Sequence, residues 1–205
     1  MKKLRLFALA AAFALALFAP SPVTSRAAET NNVSVGSTVA DFKLPDVEGK
    51  QHTLKSLAGR NGTVLIFVSV QCPVSNAYNA RMERYAQELK SKGVNLVGIN
   101  SNATETGDDV KRHAAENKLS FTILKDKNNR VADQLGALVT PEAFYLDAQN
   151  RLVYRGPIDN DRYNRLDGTA ELRSHLLNAI AETLAGKPVT VSETRAFGCS
   201  IKRAS

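Results

Sequence analysis

The stretch that decides the fold of this 205-residue chain is VLIFVSVQCPVSNAY, residues 64–78. Its first half is a continuous apolar run rich in β-branched residues, which predicts a strand over 63–70 that is buried on both faces. Its second half opens a predicted helix over 73–91, in which apolar side chains recur at helical spacing and form one stripe suited to packing on a sheet. Cys72 therefore lies where a core strand gives way to a helix.

This position favours a reactive thiol. The unpaired N–H groups and the macrodipole of a helix N-terminus favour an anion, so we expect the pKa of Cys72 to lie below the free value of about 8.5. Pro73 fits the first helical turn, where its missing N–H is not needed. A buried and unreactive cysteine at the end of a core strand is the alternative, and this stretch alone leaves both open.

Outside this stretch, strands and helices alternate along the chain. The patterns predict a β-hairpin over 40–54, strands over 94–100 and 120–124, a helix over 108–117, a second hairpin over 142–155 and a long helix over 169–184. This order predicts one α/β domain, residues 35–187, built as a three-layer sandwich with a mixed central sheet and an N-terminal β-hairpin extension. Residues 188–205 form a C-terminal tail with no clear period, and the tail carries Cys199.

The N-terminus has the pattern of a secretory signal. Lys2, Lys3 and Arg5 precede a 14-residue apolar run, and a small-residue cleavage site ends at Ala27. The run is shorter than the roughly 20 residues that span a bilayer, so we expect a cleaved signal peptide over 1–27 and no stable membrane span after cleavage. The mature protein is expected to be exported, most plausibly to the periplasm.

The net charge of +7 does not indicate a nucleic-acid partner. The first 27 residues carry +4 of it, which leaves +3 for the remainder of the chain. No basic stripe interleaved with aromatic residues remains there, so nucleic acid is not an expected partner.

Four segments together resemble a known family: VADFKL at 39–44, QCPVSNAY at 71–78, TPEAF at 140–144 and GCSIK at 198–202. Their order is similar to that of exported redoxins, peroxiredoxin-like relatives of the alkyl hydroperoxide reductase and thiol-specific antioxidant family within the thioredoxin superfamily. The resemblance covers roughly residues 35–185. It implies that Pro141 is cis and lies against Cys72, and that the Thr140 backbone is left free to pair with an extended substrate.

The chain also departs from the superfamily motifs. The fourth position of Cys-x-x-Cys is Ser75, so Pro73 and Ser75 remain as positioning residues but the motif holds no resolving thiol. Peroxiredoxins place a Ser or Thr three residues before the peroxidatic cysteine, which Ser69 satisfies for Cys72, and a proline seven before, where this chain has Leu65. The resemblance also places the peroxidatic position at Ser75.

Cys199 is the remaining candidate for a resolving thiol. The basic side chains of Arg195 and Lys202 nearby predict that its thiolate is favoured as well. In an oxidising compartment Cys72 and Cys199 are equally compatible with a permanent structural disulfide, and a disordered tail would leave them unpaired.

These observations lead to one preferred function and several alternatives. The preferred function is an exported thiol–disulfide oxidoreductase that acts on a protein or small-molecule thiol or disulfide, with Cys72 as nucleophile, Cys199 as resolving thiol and a possible thiol reductant as partner. The alternatives are a peroxiredoxin-like thiol peroxidase, and a non-catalytic binding module or copper carrier. His52, His113 and His175 match no metal-site spacing, so neither a metal nor a cofactor is expected.

Overall fold

The computed structural model describes residues 33–162 and 172–204. The predicted signal peptide, residues 1–27, lies outside the described residues, and so does most of the polar loop predicted over 159–168. Within the described ranges, no helix combines the length and the apolar character needed to cross a bilayer.

The central sheet is mixed and has five strands in the order β5-β4-β3-β7-β8. Strands β3, β4 and β5 are parallel, whereas β7 runs antiparallel to β3 and β8 antiparallel to β7. Two short antiparallel pairs, β1-β2 and β6-β9, lie outside this sheet. The strands are β1 (Lys43–Pro45), β2 (Gln51–Thr53), β3 (Gly62–Phe67), β4 (Val94–Asn100), β5 (Ile123–Lys125), β6 (Val139–Thr140), β7 (Glu142–Leu146), β8 (Leu152–Gly156) and β9 (Cys199–Ser200).

Helices cover both faces of the sheet. They are α1 (Leu54–Leu57), α2 (Pro73–Ala77), α3 (Asn79–Ser91), α4 (Gly107–Glu116), α5 (Arg130–Leu135) and α6 (His175–Leu184). Every residue of β3 is buried, and its side chains alternate between two hydrophobic clusters. Val64 and Ile66 belong to the cluster that α3 and α6 cover, while Leu65 and Phe67 belong to the cluster that includes α1 and α5. The predicted three-layer thioredoxin-like sandwich with its N-terminal hairpin is therefore confirmed.

The helix predicted over 73–91 is interrupted at Tyr78. The Tyr78 amide donates to the carbonyl of Ser75, three residues back, at 3.0 Å, so the chain tightens there before α3 begins. The Tyr78 side chain is fully buried, and its hydroxyl donates to Asp159 at 2.8 Å. This tertiary contact accounts for a break that the apolar stripe did not reveal.

Two helix starts also differ from the prediction. Helix α4 begins one residue before Asp108, because Thr106 is its N-cap and forms a reciprocal capping box with Asp109. Helix α6 begins at His175 and not near 169, and residues 169–171 lie outside the described residues. The Ser174 hydroxyl accepts the Leu177 amide at 3.1 Å, so Ser174 fixes the start of α6.

The C-terminal tail packs against the domain. Ile201 is 6% exposed and belongs to the cluster that includes α1 and α5. The Ile201 amide donates to the Leu138 carbonyl at 3.0 Å, and the Arg203 guanidinium donates to the Ala137 carbonyl at 2.7 Å. The disordered tail, one of the alternatives from the sequence, is not what the structure shows for residues 188–204.

Candidate active site

Cys72 lies at the N-terminal end of α2. Strand β3 ends at Phe67, and a four-residue connection brings the chain to Cys72, whose extended backbone makes it the N-cap of the helix. The Ser75 amide donates to the Cys72 sulfur at 3.3 Å, so the thiol takes the place of the oxygen that usually caps a helix. Pro73 occupies the first turn, as predicted, and Cys72 is only 1% exposed.

Thr140 and Pro141 lie against Cys72. The peptide bond between them is cis, as the resemblance implies, and the Cys72 thiol donates to the Thr140 carbonyl at 3.2 Å. The expectation that the Thr140 backbone is free is wrong, because β6 pairs antiparallel with β9 of the same chain and Thr140 is registered with Cys199. The tail thus occupies the strand edge that an extended substrate would use.

This strand pairing brings the two cysteines together. The two cysteines lie close enough to shift each other's pKa, and both are free thiols. Gly198 allows the close approach: its φ is +155°, and a Cβ built on it would overlap the Thr140 carbonyl. Residues that are distant in the chain therefore form one thiol pair at the end of α2.

The two thiols differ in acidity. Burial of Cys72 disfavours its thiolate, but the hydrogen bond from the Cys199 side chain and the one from the Ser75 amide outweigh burial, so the pKa of Cys72 lies below its ordinary value. Burial raises the pKa of Cys199 to about 11, and the hydrogen bond to Cys72 and the Cys72 charge act in the same direction. Lys202 lowers the pKa of Cys199, but by less.

The prediction that basic neighbours favour the Cys199 thiolate is consequently wrong. Cys72 is the more acidic thiol of the pair, and Cys199 is the less acidic one. This asymmetry matches a nucleophile and a resolving thiol.

Ser75 is buried, and its hydroxyl accepts the Ser69 amide at 3.2 Å. Its own amide points to the Cys72 sulfur, as described above. Ser75 therefore supports the connection before the helix and also stabilises the Cys72 thiolate. At the position of the second cysteine of Cys-x-x-Cys, this chain therefore has a hydrogen-bonding residue and not a thiol.

Glu105 is a site residue that the sequence reasoning missed. It is 2% exposed, and its carboxylate accepts hydrogen bonds from the Ser69 hydroxyl at 2.6 Å and from the Gln71 amide at 3.0 Å. Burial raises its pKa, but these bonds and others lower it further, so the pKa lies below its ordinary value. The available signal was its place just after β4, because the carboxyl ends of adjacent parallel strands meet at one edge of a sheet.

A cavity of about 820 Å³ opens beside the cysteine pair. Val74 and Gly198, which lie close to Cys72 and Cys199 in the chain, line it together with Glu142, Arg155, Phe197 and others. The Arg162 guanidinium lies 4.7 Å from the centre of the Phe197 ring on the wall of this cavity. The cavity is therefore lined by residues close in the chain to each of the two cysteines.

The contacts of the three histidines are with residues other than the two cysteines. His52 pairs with Asp46 at 2.7 Å in the N-terminal hairpin, His113 contacts Asn79 at 3.0 Å, and His175 begins α6. Over residues 33–162 and 172–204, no three His, Cys, Asp or Glu side chains converge in a way that could hold a metal ion.

The chain is similar in sequence to known thiol-based oxidoreductases. The thiol-disulfide oxidoreductase ResA of Halalkalibacterium halodurans is 29% identical over 126 residues, which are 62% of this chain and 70% of the relative. Peroxiredoxin Bcp of Escherichia coli K12 is 28% identical over 106 residues, 52% of this chain and 66% of the relative. Both relatives are oxidoreductases, and they support a redox function for this chain.

A solved structure and a family comparison extend this relationship over more of the chain. The crystal structure of a hypothetical protein from Sinorhizobium meliloti 1021 is similar with a TM-score of 0.76 and 30% identity, covering 85% of this chain and 97% of the other. The family model described as AhpC/TSA matches residues 35–155, which include β3, Cys72 and the Thr140-Pro141 bond. With this match over more than half of its length, the chain belongs to the AhpC/TSA family.

Proposed function

We propose that this protein is an exported thiol–disulfide oxidoreductase in which Cys72 is the nucleophile and Cys199 is the resolving thiol. The observation that carries this proposal is the β6–β9 pairing, which sets Cys199 opposite Thr140 beside Cys72 and so brings together two free thiols of unequal acidity. A low-pKa thiol attacks and a neighbouring thiol resolves in this class of reaction. The ResA relative, itself named a thiol-disulfide oxidoreductase, gives further support.

The reaction proceeds in two exchanges. The Cys72 thiolate attacks one sulfur of a substrate disulfide, forms a mixed disulfide and releases the first substrate thiolate, which takes up a proton from solvent. Cys199 then loses its proton and attacks the Cys72 sulfur, which forms the Cys72–Cys199 disulfide and releases the second substrate thiol. The substrate gains two electrons and two protons: the cysteine pair supplies both electrons and the Cys199 proton, and solvent supplies the other proton.

The cycle closes when an external dithiol reduces the Cys72–Cys199 disulfide. The Ser75 amide stabilises Cys72 as the leaving thiolate in that step, because it donates to the sulfur that regains the negative charge. The same pair run in reverse oxidises a dithiol substrate. A thiol or dithiol partner is therefore part of the proposal.

A thiol peroxidase is the second candidate, because Cys72 is only 1% exposed and the tail occupies the neighbouring Thr140 edge. A hydroperoxide is small enough to reach it through the neighbouring cavity. The Cys72 thiolate would attack the terminal oxygen of the hydroperoxide and break the O–O bond. This gives a sulfenic acid on Cys72 and releases an alkoxide or hydroxide, which is protonated to an alcohol or water. Cys199 would then attack the sulfenic sulfur and release water as the disulfide forms. The peroxiredoxin Bcp relative favours the same chemistry.

Export is the third part of the proposal and is supported by the basic, apolar and small-residue pattern of residues 1–27. We expect the protein from a periplasmic fraction to begin after Ala27, as measured by N-terminal sequencing. An intact N-terminus on protein confined to the cytosolic fraction would contradict export without affecting the thiol chemistry.

The thiol chemistry is tested in glutathione buffers of defined ratio, with trapping of free thiols and mass spectrometry of the non-reduced peptides. We expect a Cys72–Cys199 disulfide that opens and closes within the range of these buffers, and a glutathione adduct on Cys72 in the Cys199→Ser variant. A disulfide that stays closed under strongly reducing conditions, at potentials below about −300 mV, would identify a structural tie and refute the redox role.

Stopped-flow oxidation separates the two candidates. Rapid oxidation of Cys72 by hydrogen peroxide, absent in Cys72→Ser, would favour the peroxidase. A reaction as slow as that of a free thiol, together with fast exchange with a small disulfide, would favour the oxidoreductase.

A further inference from the structure

Glu105 is a buried carboxylate that the proposed reaction does not consume. It lies between β4 and α4, and none of the ion pairs found among residues 33–162 and 172–204 includes it. A buried carboxylate without a directly bound cation is costly unless hydrogen bonds compensate for the lost water. Its hydrogen-bond partners therefore indicate what Glu105 is for.

One group of partners belongs to the connection that carries the nucleophile. The Ser69 hydroxyl donates to Glu105 at 2.6 Å, and the amides of Val70 and Gln71 donate at 3.1 and 3.0 Å. The same Ser69 oxygen accepts the Cys72 amide at 3.1 Å. Glu105 thus orients the hydroxyl that holds the Cys72 backbone in place.

A second group of partners leads to the tail. The Asn102 side-chain amide donates to Glu105 at 3.2 Å, and the Asn102 oxygen accepts the Lys202 amide at 2.7 Å. The Lys202 carbonyl accepts the Ala103 amide at 2.8 Å. Lys202 follows β9 by two residues, so these bonds hold the strand that carries Cys199.

The Lys125 ammonium bonds the two asparagines. Lys125 donates to the Asn100 oxygen at 2.6 Å and to the Asn102 carbonyl at 2.7 Å. The Asn100 side chain in turn donates to Glu105. Lys125 therefore fixes the orientation in which the Asn100 side-chain amide faces the carboxylate, and it also holds the Asn102 backbone.

We propose that Glu105 is the positioning residue that sets the geometry of the Cys72–Cys199 pair, because one carboxylate is bonded directly to the nucleophile connection and, through Asn102, to the tail. A carboxylate suits this role since it only accepts hydrogen bonds, and five donors converge on it. A glutamine would turn an N–H₂ group towards some of these donors. The inference rests on the proposed function of the cysteine pair.

The test compares Glu105→Gln with Asp126→Asn. Asp126 is a matched control, because it is 1% exposed and accepts bonds from the Ser101 hydroxyl and from two amides of α5, but bonds neither the Cys72 connection nor the tail. The readout is the effective concentration of the two thiols, obtained from the glutathione equilibrium of the Cys72–Cys199 disulfide. We expect Glu105→Gln to lower it by about tenfold or more, and Asp126→Asn to leave it within about twofold.

Two milder variants test the bonds to the Cys72 connection and the bonds to the tail separately, and they take the place of Glu105→Gln if that variant does not fold. We expect Ser69→Ala to shift the pH profile of Cys72 alkylation, and Asn102→Ala to lower the effective concentration without shifting that profile. Equal effective concentrations in Glu105→Gln and Asp126→Asn, or wild-type values of both readouts in the milder variants, would overturn the inference. A wild-type protein with no reversible disulfide would instead overturn the proposed function itself.

Discussion

Replacing Gly198 with alanine tests whether the β6–β9 pairing controls the reactivity of the cysteines. The φ of Gly198, +155°, lies in a region that residues with a Cβ rarely adopt, and the new Cβ would lie 2.6 Å from the Thr140 carbonyl carbon. Alanine therefore cannot occupy this position unless the tail moves away from Thr140. Since Cys199 follows directly, its sulfur would move away from Cys72.

The size of the expected effect follows from the backbone strain at position 198. A residue with a Cβ in this backbone region costs about 1–3 kcal/mol, which corresponds to about 5–150-fold in an equilibrium constant at 1.4 kcal/mol per tenfold. The overlap with the Thr140 carbonyl adds to this cost. We therefore expect the effective concentration of Cys199 towards Cys72 to fall at least about fivefold, as measured by thiol trapping in glutathione buffers.

Gly186→Ala is the matched control for this experiment. Gly186 also has a positive φ, +66°, but no atom lies within 4 Å of a Cβ placed there, and it follows α6 far from the cysteines in the chain. We expect Gly186→Ala to lower the thermal stability slightly and to leave the cysteine equilibrium unchanged. An unchanged equilibrium in Gly198→Ala would refute the view that the strand pairing presents Cys199 to Cys72.

Three further predictions concern acidity, access and stability. Alkylation of Cys72 should rise with pH through a midpoint below that of an ordinary thiol, whereas alkylation of Cys199 should rise only near pH 11, since its pKa is about 11; peptide mass spectrometry measures both. Arg203→Ala removes the bonds to the Ala137 carbonyl and to Asp133 and should loosen the tail. The rate of reduction of a protein disulfide, divided by that of a small disulfide, should then rise about two- to fivefold in a fluorescence assay. Arg81→Met leaves two buried aspartates without their guanidinium and should lower the free energy of unfolding by about 3–5 kcal/mol, measured with urea.

Each of these predictions has an outcome that contradicts it. Equal alkylation midpoints for the two cysteines would mean that the thiols are not asymmetric. An unchanged ratio of the rates with protein and small disulfides in Arg203→Ala would show that loosening the tail does not open the Thr140 edge. A loss below about 1 kcal/mol in Arg81→Met would show that water or a local rearrangement compensates the buried carboxylates.

Local pattern was sufficient for much of the fold. The apolar run of β3 and the stripe of the following helix repeat within a few residues, so periodicity alone placed Cys72 at the junction between them. The break at Tyr78 was not predictable in this way, because it depends on a buried hydroxyl that reaches Asp159 in a distant segment. The predicted start of α6 was wrong because the apolar period continues back beyond Ser174, which is the residue that caps the helix.

Some residues of the candidate site were predictable from local motifs, and others were not. Cys72, Pro73, Ser75 and the Thr140-Pro141 bond belong to short motifs that are visible in the sequence. Glu105 belongs to no motif, since its role arises only when donors from separate segments converge on one carboxylate and Asn102 links it to the tail. The acidity of Cys199 was predicted wrongly from its basic neighbours, because burial and the adjacent Cys72 sulfur outweigh Lys202 once the tail is in place.

The sequence by itself determined that a core strand delivers a cysteine to the start of a helix, because strand and helix periods and the cysteine's place between them are local properties of the chain. Only the tertiary structure decided that the tail pairs with Thr140, covers the edge expected to be open and presents Cys199 to Cys72. The physical reason is that strand pairing joins the backbone groups of two distant segments, and folding alone brings such segments to one edge.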